Sequence, residues 1–175
     1  GEDPFANDPQ LFYDVIQRRR NAHNASFCCG AGSVHRRDAV MRVALKAYVA
    51  GVEKQAKGLV EAVHDASVRR EVASGLERLV AVETELTPYR FHVSEDLYTS
   101  IYLHSDLDCE WRSVYHPKVE SKMLSPQDLQ TWTVQRFKYA GGTLDIAFRD
   151  NPLFRRGLTL RQRLMYGATF WAYLG

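Results

Sequence analysis

The sequence predicts a helix-rich α/β fold, on three observations. A proline-free run from Ala39 to about Glu85 repeats apolar residues at three- and four-residue spacings. Helix-start signals stand at Ser94, Ser125 and Thr159. Two short apolar stretches, 25–34 and 111–115, have the character of strands. With 175 residues, 45% hydrophobic and 25% charged, the chain has the size and composition of one globular domain.

Charge and cysteine usage exclude several classes. A formal charge of +2 with interspersed acids is not the clustered basic surface of a nucleic-acid binder. Three cysteines, two of them adjacent at Cys28 and Cys29, make neither a disulfide framework nor a zinc spacing, so reduced thiols are expected. No charged start with an apolar core follows the pattern of a signal peptide, and no run reaches the roughly 18 apolar residues of a membrane span.

Taken in order, the opening GEDPFANDPQLF reads as irregular chain leading into the apolar stretch Leu11 to Ile16. The basic run Arg18 to Arg20 reads as a solvated turn. The small, Gly-punctuated stretch Ala25 to Val34 suits a buried strand or turn, and His35 to Asp38 leads into a helix. Two long helices are expected over 39–85, breaking near Gly51, Gly58 or His64 to Ser67. Pro88 ends that region, and Ser94 with Glu95 and Asp96 opens a helix running to about Ser105.

Trp111 to Tyr115 alternates like a strand and stops at Pro117. Ser125 and Pro126 form an N-cap and first-turn pair for a helix through Phe137, which Gly141 and Gly142 are expected to kink or end; Trp132 and Phe137 read as core. Thr159 caps a final segment, LTLRQRLMYGATFWAYLG, whose basic first turns give way to apolar and aromatic residues, as in a core helix or an amphipathic helix at a membrane interface.

Three motifs then carry a resemblance. FCCGAGSVHRR, from Phe27 to Arg37, is similar to an FFCGS segment followed by LRR; VSEDLYTSIYLH, from Val93 to His104, is similar to a TED segment; and QRFKYAGGTLDIAFRDNPLF, from Gln135 to Phe154, is similar to a QxxRW segment with a downstream DNP. In this order the motifs resemble the cellulose synthase branch of glycosyltransferase family 2, over residues 4–38 and 92–174. The resemblance implies a partial GT-A catalytic domain, its acceptor-side part being 1–38 and 92–158, with a helical insertion at 39–91 and an amphipathic interface helix at 159–175. Half of such a sheet leaves strand edges unpaired, so a mostly helical chain, or one that dimerises, is expected.

The resemblance also assigns roles. Asp96 matches the general base and Glu95 its support; at a helix N-terminus the Asp96 carboxylate is expected to favour ionisation. Gln135 and Lys138 match the Gln and Arg placed around the diphosphate and the chain end, Tyr139 matches the Trp that stacks on the acceptor sugar, and Cys29 and Gly30 match the small residues lining the acceptor end. Lys138 replaces a bidentate fork by a point charge and Tyr139 narrows the stacking face, which leaves polymer and linkage open. Without the resemblance Asp96 is an ordinary first-turn acid and Cys29 a packing residue.

The implied parent is a membrane-bound, processive, inverting enzyme at the cytoplasmic face of the plasma membrane. It extends a β-glucan or related polysaccharide from a nucleotide sugar, UDP-glucose by resemblance. The donor half and the ligands for its Mg2+ or Mn2+ are expected outside this chain, which alone is expected to be inactive, with no cofactor and no metal residue of its own. Asp106-Leu107-Asp108 is a DxD by letters, yet follows the catalytic helix and is read as a loop. Further partners implied are the membrane interface through the last helix and a partner subunit or second copy; no nucleic acid is expected. The rival reading is a non-catalytic helical interaction module working through 39–91.

Overall fold

A computed structural model describes residues 10–80, 92–120 and 125–173 of the chain, without the side chains of Ala31 and 76–80. The expected irregular opening and the stop at Pro88 lie outside the described residues. The chain divides into two compact units, Arg36–Tyr89 and the combination of Gly1–His35 with Arg90–Gly175.

In the larger unit a π-helix, Leu11–Gln17, runs directly into α1, Arg18–Asn21, and a 3-10 turn occupies Gly30–Gly32. The remaining helices are α4 (Glu95–His104), α5 (Leu129–Arg149) and α6 (Leu160–Trp171). The core is where α4, α5 and α6 meet. Leu97, Tyr98 and Ile101 of α4 pack with Ile146 of α5, with Leu158, and with Tyr166 and Phe170 of α6, while Phe27, Tyr102 and Ala147 close the edges. Ile101 and Tyr166 are wholly buried, and a fully buried side chain of this size contributes about 1.5–3 kcal/mol.

Local chemistry explains the helix starts. Thr159 accepts from the Gln162 N–H while the Gln162 side chain accepts from the Thr159 N–H, a reciprocal capping box. Asp128 caps α5 by accepting from Thr131 N, so the helix starts three residues beyond the expected Ser125–Pro126 pair. Ser94 precedes α4 as expected, although its hydroxyl makes no capping bond.

Four expectations are corrected here. Among the described residues there is no strand: 25–29 and 111–117 are irregular chain without ladder pairing. Several of their backbone groups are met by side chains instead. Asn24, held at φ 51°, accepts from Ser113 N at 2.9 Å and donates to Trp111 O at 2.8 Å, and Asn21 accepts from Tyr115 N at 2.8 Å. Gly141 and Gly142 do not end α5, which continues unbroken to Arg149. Phe137 is 79% exposed and not core. Arg20, read as solvated, is buried: it donates to Met165 O and Thr169 Oγ1 of α6 and lies over the rings of Phe27 and Tyr166.

A second polar anchor ties α4 to the end of α5. Asp150 accepts from Tyr98 Oη at 2.9 Å, Tyr102 Oη at 3.2 Å and Arg155 Nη1 at 2.6 Å, and Arg155 also donates to Ser105 Oγ at 2.8 Å and covers the Tyr102 ring. Burial works to raise the Asp150 pKa, but the Arg155 charge and these hydrogen bonds outweigh it, and the net shift is downward.

The smaller unit holds α2, Arg37–Ala62, and α3, Ala66–Val80, packed on each other. Of the candidate breaks, the structure uses the last. Val63 to Asp65 interrupt the helices, where Asp65 Oδ1 accepts from Ser67 N at 2.7 Å and Arg69 returns two bonds to Val63 O at 3.0 and 2.7 Å. Gly51 and Gly58 lie inside α2 with open space around them. Leu45, Val49, Leu59 and Val68 of these helices are exposed.

Candidate functional site

The segment Phe27–Gly30 and the first turn of α4 come together. Gly30 has φ +78°, in the left-handed region that suits glycine, and a Cβ built on it would lie 3.5 Å from Asp96 Oδ2. The Gly30 backbone therefore lies against the Asp96 carboxylate, with only a hydrogen in between. Ser100, one turn along α4, links the two pieces: it donates to Asp96 O at 2.7 Å and accepts from Cys28 N at 2.9 Å.

Electrostatics at Asp96 depart from the expectation of easier ionisation. Burial raises its pKa, the neighbouring Glu95 raises it further, and hydrogen bonds from its own and the Gly30 N–H with the nearby His35 only partly offset this. Desolvation outweighs the helix N-terminus, leaving Asp96 a stronger base than an exposed aspartate. Glu95 itself is exposed.

The two adjacent cysteines are in different settings. Cys29 Sγ accepts from Gln17 Nε2 at 2.9 Å and donates to Phe27 O at 3.4 Å; burial pushes its thiol up to about 12. It is neutral and tied down at physiological pH. Cys28 Sγ lies 3.3 Å from His35 Nε2, and its thiol is also raised, first by burial.

Gln135, Lys138 and Tyr139 share one face of α5 by their three- and four-residue spacing. Gln135 is half-buried, Lys138 exposed, and Tyr139 47% exposed. Tyr13, in the π-helix, relates this face to the Phe27–Gly30 segment. Burial first, then Cys29, Tyr139 and Tyr115, raise its hydroxyl pKa, so all three lie within electrostatic range of it. The structure thus sets Gly30, which Cys29 precedes in the chain, against Asp96, and places Gln135, Lys138 and Tyr139 on another helix, α5.

Sequence reading missed Gln17, Ser100 and Arg20. Gln17 is 1% exposed, and its amide donates to Phe27 O at 3.2 Å and accepts from Phe27 N at 3.3 Å. Its partners lie ten and twelve residues away, beyond any local pattern. A polar residue closing an apolar run was the one available signal.

No cluster of three metal-ligating side chains is arranged among the described residues. Of the DxD letters, Asp106 is engaged locally, accepting from Trp111 Nε1 at 3.0 Å and Asp108 N at 3.2 Å.

No protein-family model matches the chain, and no solved structure matches it. Three curated relatives carry the same name, cellulose synthase catalytic subunit [UDP-forming]. The protein of Xanthomonas axonopodis pv. citri is 29% identical over 160 residues, covering 91% of this chain and 16% of that protein. That of Komagataeibacter sucrofermentans is 28% identical over 156 residues, 89% of this chain and 15% of its own length. That of Pseudomonas fluorescens is 26% identical over 160 residues, again 91% and 16%. This chain spans only 15–16% of these relatives. Along about nine-tenths of its length the chain is similar to catalytic subunits of one kind, which supports a cellulose synthase-like segment.

Proposed function

We propose that this chain is the acceptor-side part of the catalytic domain of a membrane-bound, processive, inverting glycosyltransferase that extends a β-glucan or related polysaccharide from UDP-glucose. The observation that carries the reading is Asp96, half-buried in the first turn of α4 with its carboxylate against the Gly30 backbone. Similarity to subunits named UDP-forming supports a nucleotide-sugar donor. Donor-binding residues and the ligands of a divalent ion belong to the rest of the parent, so the chain alone is inactive.

In the proposed step the acceptor hydroxyl gives its proton to Asp96 as its oxygen forms the new bond to the anomeric carbon and the diphosphate departs from the opposite side. A raised pKa brings the base closer to neutral operating pH, which strengthens proton transfer. Gly30 leaves room for the acceptor end beside the carboxylate, Cys29 packs the floor, and Glu95 adds negative charge that keeps Asp96 basic. On α5, Gln135 and Lys138 serve the diphosphate and chain end, and Tyr139 offers a half-exposed ring for sugar stacking.

Helix α6 supports a cytoplasmic membrane-interface location. Gln162, Tyr166 and Phe170 form its buried stripe, while Leu160, Leu164 and Trp171, 72%, 59% and 73% exposed, form an apolar stripe on another side. No helix among the described residues is long and apolar enough to cross a membrane. The exposed apolar residues of α2 and α3 favour an interaction role for that unit, with a partner subunit or a second copy.

The test is polymer synthesis from UDP-glucose by membranes bearing the full-length parent. Asp96→Asn keeps the shape and removes the base, so the rate falls by about 10²–10⁴-fold. Synthesis by Asp96→Asn at the wild-type rate overturns the reading.

A further inference from the structure

The Phe27–Cys29 segment is irregular chain with no ladder partner among the described residues, and each of its amide N–H groups ends on a side chain. Phe27 N donates to Gln17 Oε1 at 3.3 Å, Cys28 N to Ser100 Oγ at 2.9 Å and Cys29 N to Ser33 Oγ at 3.2 Å. Gln17 differs from the two serines. Its amide takes both backbone groups of Phe27, accepting from the N–H and donating to the carbonyl, as a neighbouring strand would. The same Nε2 reaches Cys29 Sγ at 2.9 Å, and the Gln17 carbonyl accepts from Ser26 Oγ at 2.8 Å. One buried residue therefore holds Ser26, Phe27 and Cys29, the residues that lead directly into Gly30.

Its own placement is independently fixed. Gln17 closes the π-helix Leu11–Gln17, a rare register that is frequent at functional sites. Three residues on, Arg20 lies over the Phe27 ring, 5.0 Å from its centroid, and is bonded to Met165 O and Thr169 Oγ1 of α6. We infer that Gln17 is a positioning residue: its amide sets the Phe27–Gly30 backbone against Asp96 and so fixes where a sugar acceptor sits relative to the base. The inference rests on the glycosyltransferase reading and extends it to a residue that touches neither sugar nor base.

A merely structural buried amide predicts lost folding; a positioning amide predicts lost turnover with intact donor binding. The assay is again polymer synthesis from UDP-glucose by membranes bearing the full-length parent, with kcat and KM for the donor measured separately and enzyme amount normalised by immunoblot. Gln17→Met keeps the volume and removes every amide bond. Its kcat is expected to fall by about 10²-fold, the cost of a displacement near 1 Å at a reacting centre, with KM unchanged within about twofold.

Gln17→Glu supplies the second readout. Protonated, its carboxyl has one donor and one acceptor and restores both bonds to Phe27; ionised, it loses the donor and faces the Phe27 carbonyl with a negative charge. The titratable and charged groups near position 17 are the Cys29 thiol, which its amide contacts, and the Arg20 guanidinium and Tyr13 hydroxyl, both within electrostatic range of Cys29. The ratio of Gln17→Glu to wild-type kcat is expected to rise as pH falls from 8 to 6. A wild-type kcat in Gln17→Met overturns the inference, as does a parallel change of kcat and KM with a pH-independent ratio in Gln17→Glu. If Gln17→Met does not accumulate, the Gln17→Glu profile decides alone. Asp96→Asn in the same membranes separates the two claims: if it is inactive and Gln17→Met is normal, only the role of Gln17 falls; if it is fully active, the glycosyltransferase reading falls.

Discussion

Two adjacent glycines in α5 are expected to respond to alanine with opposite sign. At Gly141 an added Cβ meets nothing within 4 Å, so Gly141→Ala gains the ordinary helical advantage of alanine, about 0.5–1 kcal/mol. At Gly142 the same Cβ would stand 2.2 Å from Ser94 Oγ, 3.1 Å from Ser94 Cβ and 3.2 Å from Ser94 N. Rotating the hydroxyl clears the first contact but not the other two, which are shorter than the roughly 3.5–4.0 Å of a favourable carbon contact.

The start of α4 must therefore move, and overpacking of this kind costs about 1–3 kcal/mol. Less the helical gain, Gly142→Ala is expected to destabilise the chain by about 0.5–2 kcal/mol. Ser94→Gly in the same background removes the Cβ and hydroxyl and should recover most of that loss. Urea denaturation followed by far-UV circular dichroism measures the shifts, read as midpoints at constant slope. If Gly142→Ala is as stable as Gly141→Ala, the close approach of α5 to the turn before Asp96 is refuted.

Two further predictions concern buried polar groups. Asp150→Ala strips one acceptor from Tyr98, Tyr102 and Arg155 and should cost about 2–3 kcal/mol, discounted for the partial exposure of the ion pair. Because the folded pKa of Asp150 is lowered, its contribution is present above the unfolded value near ~3.9 and lost as pH falls below it; a thermal-unfolding series from pH 7 to 2.5 should show a shallower acid decline in the variant. His104, bonded to Tyr166 Oη at 2.7 Å and Ser113 Oγ at 3.1 Å, is lowered to about 4 by burial. It should stay neutral by NMR at pH 5, with stability declining as pH falls from ~6.5 toward about 4; titration near 6.5 counts against its burial.

The sequence by itself determined the helices whose signals are local. Thr159 and Gln162 cap each other across three residues, Asp65 caps α3 within its own turn, and Ser94 to Asp96 stand where α4 begins, because a helix end needs partners for groups a few residues away. The motifs around Cys29, Asp96 and Gln135 also pointed to cellulose synthase, a likeness the curated relatives carry over most of the chain. Only the tertiary structure decided what the extended segments pair with. In the stretches patterned like strands, backbone groups of Phe27, Cys28, Trp111 and Tyr115 found the side chains of Gln17, Ser100, Asn24 and Asn21, and those partners lie between 10 and 94 residues away.

Burial likewise had to be found in three dimensions. Arg20 looked like part of a solvated basic turn until Phe27, Tyr166 and α6, 145 residues on, closed over it. Asp96 sits at the helix N-terminus the sequence placed, yet its pKa is raised rather than lowered, because burial, a quantity that depends on everything packed around a carboxylate, outweighs the hydrogen bonds it accepts.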